Sequence, residues 1–452
     1  LGLIAIPGIL GATRASGDVT TVTPIKHVII IQQENRSFDS YFGTFPGADG
    51  IPMLNGVAQV ACNPDPVLKT CVKPFAYHQD INRGGPHATK NSIADIASGA
   101  MTGFQNQANV ASNCVDFTDP ACGGNTGKNF NDAMGYHSAS DIPNYWSYAS
   151  NYVLQDRFFA PSTSWSLADH LYAVSGWSAK CSSNAPTSCT STLYDNDPRS
   201  AKVLSGTNHV AWTDITYLLH RAGVSWAYYI STGGQPDCEK NYEMVCKPAK
   251  QGVGTPGWWN PLPYFNTVQN DQETGNIQDS AKFLSAAKNG SLPAVSWVIP
   301  NNQNSEHAPA KVSVGQSYVT KLINAAMAGP DWNSTAIFLS WDDWGGFYDH
   351  VLPPTVNGQS LGIRVPGLVI SPYAKAGYID HQVASTDSYL KFIEDNFLNG
   401  QRLDPANDGR PDSRPSVREN SSVYGNLMND FDFTQAPRAG TQLKVKPRTT
   451  LR

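Results

Sequence analysis

Charge is scarce in this sequence. Only 15% of its 452 residues are charged, and 32 basic side chains against 37 acidic ones leave a net charge of −5. So mild and slightly acidic a chain has no electrostatic footprint for nucleic acid. It lacks any run of about 18 apolar residues, which excludes a transmembrane helix as the organising feature. Internal repeats and linker-like segments are also missing, and one domain is expected over two. What the chain has is 40% hydrophobic residues with 38 Gly and 31 Pro. That supports a large core with many turns around it and speaks against disorder.

The cysteines lack metal-binding spacing. All eight fall in local pairs, Cys62/Cys71, Cys114/Cys122, Cys181/Cys189 and Cys238/Cys246, and none of the pairs is a CxxC with histidine company. Local disulfides are the natural reading, each closing a turn-rich loop and contributing about 2–3 kcal/mol through chain entropy. Disulfides of this density belong to an oxidising compartment, so the protein is expected to be secreted or periplasmic. Leu1–Ala15 is mildly apolar and small, like the remnant of a signal peptide, although the charged n-region is missing.

Strand-like apolar runs recur at His27–Gln32, Val224–Ile230, Ala294–Ile299, Ala336–Ser340 and Arg364–Ile370. Helical patterns lie between them at Asn91–Gly99, Ser313–Met327 and Ser385–Leu398, with Ser313 and Gln316 spaced as a capping box. This alternation predicts an α/β fold, a three-layer α/β/α arrangement around a mostly parallel sheet. The Gly-, Asn- and Pro-rich stretches 46–86, 105–130, 178–200 and 232–258 read as long, disulfide-stapled insertions near the functional edge. Residues 1–24 form an N-terminal segment, 25–403 the main domain and 404–452 an extended C-terminal arm on that domain.

Two of the strands end in hard oxygen ligands. His27-Val-Ile-Ile-Ile-Gln-Gln runs into Glu34 and Asn35, and Phe338-Leu-Ser-Trp runs into Asp342 and Asp343. Function in open α/β sheets gathers at the carboxyl ends of strands. Three carboxylates and an amide oxygen meeting there suit a divalent cation, Ca2+ or Zn2+. Adjacent acids repel unless a cation or arginine stands near. Arg36 is expected to neutralise a carboxylate such as Asp39. Four hydroxyls, Ser162, Thr163, Ser164 and Ser166, crowd one segment, and composition alone does not choose a nucleophile among them. His170 and His350 are read as structural. Aromatic side chains cluster near these motifs, at Tyr136, Tyr145, Trp146, Trp165, Trp258, Trp259 and Trp344. Trp165 and Trp344 adjoin candidate site residues, and an aromatic-lined mouth can hold an acyl chain or a quaternary ammonium.

Glu-Asn-Arg-Ser-Phe-Asp at 34–39, Ser-Glu-His at 305–307 and Asp-Asp-Trp-Gly-Gly-Phe-Tyr-Asp-His at 342–350, taken in order, resemble the signature blocks of one family. It is the phosphoesterase family of bacterial phospholipases C, plant non-specific phospholipases C and secreted acid phosphatases, within the alkaline phosphatase-like superfamily. The resemblance implies a divalent metal held by Glu34, Asn35, Asp342, Asp343 and Ser166, with Ser166 as nucleophile. It implies that His87 and His307 hold phosphate oxygens or protonate the leaving group. Asn260 stands where related acid phosphatases place a histidine, which inclines the reading toward a phospholipase with Asn260 at the substrate. The expected substrate is a phospholipid or small phosphoester, with peripheral membrane contact and no obligate protein partner. The rivals are a broad-specificity acid phosphatase and, in another class, a secreted binding protein with a decayed site.

Overall fold

The computed structural model describes residues 20–111, 131–193, 210–237, 244–403 and 417–452, with Asp408. Most of the N-terminal segment, the Cys114/Cys122 pair and Cys238 lie outside the described residues.

Eight strands form one sheet, in the spatial order Ile277–Asp279, Trp226–Ile230, Val295–Ile299, His27–Gln33, Thr335–Trp341, Gly367–Ile370, Val153–Gln155, Tyr378–Asp380. All run in one direction except Gly367–Ile370, which is antiparallel to both its neighbours. The central strands are the β-branched and aromatic runs of the sequence, buried along almost their whole length as in a sheet covered on both faces. The helices fall into two mutually packed sets. One holds Pro143–Asn151, Ser280–Asn289 and Val312–Ala328; the other holds Ser166–Ser175, Ile215–Ala222 and Thr386–Phe397. With the sheet between them they make the three-layer α/β/α arrangement. Their ends carry ordinary signals: Asp214, Asp279 and Ser385 accept hydrogen bonds as N-caps, while Gly223 and Gly290 close helices in the left-handed conformation.

Register decides where chemistry collects. His27–Gln33 pairs in parallel with Val295–Ile299 on one side and Thr335–Trp341 on the other. Gln33 lies opposite Trp341, so Glu34–Asn35 and Asp342–Asp343 leave the sheet side by side. The segment after Ile299 leads at the same edge to Ser305, whose carbonyl accepts from the Glu34 N–H at 3.0 Å.

Several expectations need correcting. The strand expected at Arg364–Ile370 covers only Gly367–Ile370. Pro366 has no N–H to give a ladder, and Arg364 bridges Phe159 instead. The capping box at Ser313 is not formed. The helix begins at Val312, Asp80 accepts from both the Ser313 N–H and hydroxyl at 2.8 Å, and Gln316 Oε1 accepts from the Asn144 N–H. The helix at Asn91–Gly99 is Thr89–Ile96 followed by one 3-10 turn. Three short strands, Val153–Gln155, Ile277–Asp279 and Tyr378–Asp380, carried too few residues to announce themselves.

Cys62–Cys71 and Cys181–Cys189 are bonded as the local pairing requires. Cys246 is disulfide-bonded as well. No helix among the described residues is long and apolar enough to cross a membrane.

Candidate active site

The Glu34–Asn35 turn and the Asp342–Asp343 turn are locked to each other by hydrogen bonds. The Asn35 N–H donates to Asp342 Oδ1 at 2.9 Å, and Asn35 Nδ2 donates to Asp343 Oδ1 at 3.0 Å. Asn35 holds a left-handed φ of 59°, which turns the chain sharply at the strand's end. Gly345 and Gly346, with φ of 59° and 72°, follow the acidic pair. A Cβ on Gly345 would stand 2.6 Å from Asn35 Cβ, and one on Gly346 2.3 Å from Gly85 Cα. Only glycine allows this approach, which brings the turn carrying His87 against the acidic motif. The Gly85 N–H seals the contact on Gly345 O at 2.9 Å.

Ser166 opens the helix Ser166–Ser175. Its hydroxyl is 3.1 Å from Glu34 Oε2 and 3.4 Å from Asp343 Oδ2. Two other hydroxyls of the segment are engaged elsewhere: Ser162 donates to Asp169 at 2.5 Å and Ser164 to Leu193 O at 3.1 Å. His170, one turn into the helix, does not merely pack at the helix start as expected. Its Nε2 lies 3.0 Å from Glu34 Oε1. Burial holds His170 down to about 4.

Glu34, Asp342 and Asp343 are fully buried. Burial first, and the neighbouring carboxylates next, push Glu34 and Asp343 well above the usual carboxylate range. Asn35 Oδ1 and Asp342 Oδ2 are buried with no hydrogen-bond partner among the described residues. Partnerless buried oxygens amid crowded acids call for a positive charge, and the donor set of carboxylates, amide and hydroxyl fits a hard or borderline dication.

A second cluster faces this one. His87 Nε2 lies 3.0 Å, and His307 Nε2 3.7 Å, from Asp237 Oδ1. Each imidazole places Nδ1 on a backbone carbonyl, Gly85 O at 3.1 Å and Ala308 O at 2.8 Å. A carbonyl only accepts, so Nδ1 carries a proton in both rings and each Nε2 is turned toward Asp237. Burial opposes charge on His87, but Asp343 and Asp237 overcome it and raise His87 to about 10. Asp237 is held below its ordinary range by the two histidines in spite of burial. The carboxylate of Asp237 also bears electrostatically on Glu34 and Asp343, which joins the two clusters into one site.

Other expected residues lie around these clusters. Trp344 is fully buried, donates Nε1–H to Asp95 at 2.9 Å and meets the His87 ring edge-on at 6.3 Å. Trp165 precedes Ser166 and packs against Trp258 at 5.9 Å. Asn260 spends Nδ2 on Gly252 O and Thr255 O at 3.3 and 3.2 Å, and its buried Oδ1 has no partner among the described residues. Its neighbour Trp259 stands 5.9 Å from the His307 ring. Arg36 does not serve Asp39. Its guanidinium lies over the Phe347 ring at 4.6 Å and donates to Asn35 O, while Asp39 is taken by Arg364 and His350.

A model of the phosphoesterase family matches residues 25–398. The chain belongs to the phosphoesterase family. Among its relatives, the non-hemolytic phospholipase C of Burkholderia pseudomallei is 27% identical over 97% of this chain and 62% of its own length. Phospholipase C B of Mycobacterium tuberculosis is 27% identical over 94% of this chain and 81% of its own length. Non-specific phospholipase C6 of Arabidopsis thaliana is 23% identical over 81% and 65%. The chain thus spans less than two thirds of the Burkholderia relative. A solved structure of a Vibrio parahaemolyticus protein of the alkaline phosphatase superfamily is similar at a TM-score of 0.32 and 13% identity, over 57% of this chain and 60% of that one, a likeness too distant to bear on the site.

Asp237 escapes the sequence reading, which takes His170 as structural. Asp237 is an acid just beyond the Trp226–Ile230 strand, whose carboxyl end lies at the edge that carries Glu34 and Asp342. That position, next to Cys238, was the available signal.

Proposed function

We propose that this protein is an exported, metal-dependent phosphoesterase that cleaves phosphatidylcholine-like phospholipids in the manner of a phospholipase C. One observation carries the reading: a serine hydroxyl at a helix N-terminus sits within 3.4 Å of two buried acids, with two proton-bearing histidines in the same site. When bound by Glu34, Asn35, Asp342, Asp343 and Ser166, a divalent cation supplies the positive charge that makes a serine hydroxyl nucleophilic and phosphoryl oxygens tolerable beside carboxylates.

The chain's own residues do the rest. Ser166 Oγ gives its proton to the adjoining Glu34 or Asp343 carboxylate and attacks phosphorus, the Ser–O–P bond forms, and the bond from phosphorus to the glycerol oxygen breaks. The N–H groups at the start of its helix favour the phosphate charge. His87 or His307, in its imidazolium form, delivers from Nε2 the proton that the departing diacylglycerol oxygen needs, and the backbone carbonyls on Nδ1 orient both rings. Water then hydrolyses the phosphoserine. Trp165 and Trp344, next to Ser166 and Asp343 in the chain, offer the substrate aromatic surface, and Asn260 offers its Oδ1, partnerless among the described residues. The disulfides and the phospholipase C relatives support export and a lipid substrate.

The test is turnover of phosphatidylcholine against p-nitrophenyl phosphate. Release of diacylglycerol is expected. Fast turnover of the monoester alone would make the protein an acid phosphatase with the same residues, and no turnover with any divalent metal would make it a binding protein. In a lipase-competent enzyme, His87→Ala or His307→Ala should cost roughly 10²–10⁴-fold on a lipid and far less on a p-nitrophenyl diester, whose leaving group needs no proton. Equal losses on both would assign the two histidines to phosphate binding.

A further inference from the structure

Behind the acidic turns lies a buried charge cluster that the proposed mechanism leaves unused. Asp39, Asp349 and His350 are spaced like metal ligands, yet a guanidinium already stands between the carboxylates. Arg364 is fully buried. Its Nε donates to Asp349 Oδ1 at 2.9 Å and its Nη2 to Asp39 Oδ1 at 3.1 Å. Nη1 donates to Asp49 O at 2.7 Å and to Asp156 O at 2.8 Å, and the plane stacks on the Phe38 ring at 4.6 Å. His350 Nδ1 reaches the second oxygen of Asp39 at 2.7 Å, and the His350 N–H donates to it at 2.9 Å. The Asp39 N–H donates in turn to Asp349 Oδ2 at 3.2 Å.

The segments so joined are the ones that bear the candidate catalytic groups. Asp39 lies four residues beyond Asn35, and Asp349 six residues beyond Asp343. The backbone of Arg364 takes the third. Its carbonyl accepts from the Phe38 N–H at 3.0 Å, and it bridges Phe159. Either side of it, the Val365 N–H donates to Phe158 O at 3.0 Å and the Ala160 N–H to Ile363 O at 3.2 Å. Residues 158–160 run directly into the Ser162–Ser166 segment.

We infer that Arg364 is a positioning residue that fixes the Glu34–Asn35 turn, the Asp342–Asp343 turn and the Ser166 segment against one another. The inference rests on the phosphoesterase reading for its chemical meaning. A planar fork with five N–H groups can face two carboxylates and two carbonyls at once, whereas the point charge of a lysine cannot. Loss of the fork leaves the charge largely balanced but lets the turns drift, and drift of about 1 Å between reacting groups costs about 10²-fold in rate.

The test compares wild type with Arg364→Lys, each shown to be folded by circular dichroism at the assay temperature. Binding of Zn2+ and, separately, of Ca2+ is measured by equilibrium dialysis, and kcat and KM on bis(p-nitrophenyl) phosphate. Expected are a kcat lower by about 10²-fold with KM changed little, and cation affinity weaker by about 10–100-fold. A variant that melts earlier but keeps both kcat and cation affinity while folded makes Arg364 merely structural and overturns the inference. Should Arg364→Lys not fold, the charge-balanced double variant Arg364→Gln/Asp349→Asn carries the same comparison with the same two outcomes. Wild type that binds cation but turns over no phosphoester would sink the functional reading alone, because the affinity comparison still decides the role of Arg364. Wild type that binds neither cation would sink both.

Discussion

Glu306 offers a charge that can be removed almost without moving an atom. It is fully buried, with a left-handed φ of 72°. It accepts from the hydroxyls of Tyr41 and Tyr145 at 2.6 Å each and from Trp341 Nε1 at 3.1 Å. In Glu306→Gln the amide oxygen can keep Tyr41 and Trp341 on one side. The new NH2 then donates to Tyr145, whose hydroxyl turns to accept it. Burial raises the Glu306 carboxyl from 4.5 to about 7, against the pull of Arg36 and the three donors. A folded-state value above the unfolded one means that the fold binds the proton more tightly. Stability is therefore complete below about pH 4.5 and falls as pH rises through 7. At about 1.4 kcal/mol per pH unit the full loss is about 3.5 kcal/mol, of which about 2.5 kcal/mol falls between pH 5 and pH 8. Urea unfolding of wild type and Glu306→Gln at those two pH values reads it directly. The other titrating groups are common to both proteins and cancel in the difference. Wild type should lose about 2.5 kcal/mol relative to the variant on going to pH 8. A gap that does not change with pH would refute the claim that Glu306 is held protonated by burial.

Three further outcomes follow from the same geometry. Ser166→Ala should lose several powers of ten in kcat, as a group acting as a unit with a metal does, and should abolish acid-stable phosphate labelling; near-normal turnover would move the nucleophile to Ser162, Thr163 or Ser164, or to water. Asp343→Asn keeps an oxygen for the Asn35 Nδ2 and Gly345 N–H donors but gives up a charge, so metal content and activity should fall together; full retention of both would place the cation elsewhere. Replacing Cys181 and Cys189 by Ser opens a short loop closed by residues 8 apart and should cost about 2–3 kcal/mol by urea unfolding, with no loss expected only if the reduced hairpin is already ordered in the unfolded chain.

The fold was legible where one signal was strong and local. The run Val28-Ile-Ile-Ile31 cannot be exposed and has the β-branched stiffness of a strand, and Ala336–Leu339 reads the same way. Where the strand is three residues long, as at Val153–Gln155 and Tyr378–Asp380, pairing with neighbours creates the element and no periodicity precedes it. The capping box at Ser313 failed for a related reason. A distant acceptor, Asp80, competes for the Ser313 hydroxyl and N–H, and spacing along the helix carries no trace of a residue more than two hundred positions away.

The site divides along the same line. Glu34 and Asp342 could be placed together because each ends a recognisable strand, and parallel neighbours put their carboxyl ends at one edge. What the sequence withheld is which buried charge answers which. Arg36 lies three residues from Asp39 and looked like its partner, yet in the fold Arg364 takes Asp39 from 325 positions away. Asp237 meets His87 from 150 positions away, and His170 meets Glu34 from 136. A buried acid must find a donor or a cation, but any of 32 basic residues and 10 histidines satisfies that demand on paper. The choice is made by strand order and by glycines such as Gly345 and Gly346, which let one turn close on another. Ligand identity is therefore written locally in this chain, while the proton donors and the cations that orient those ligands are written in its topology.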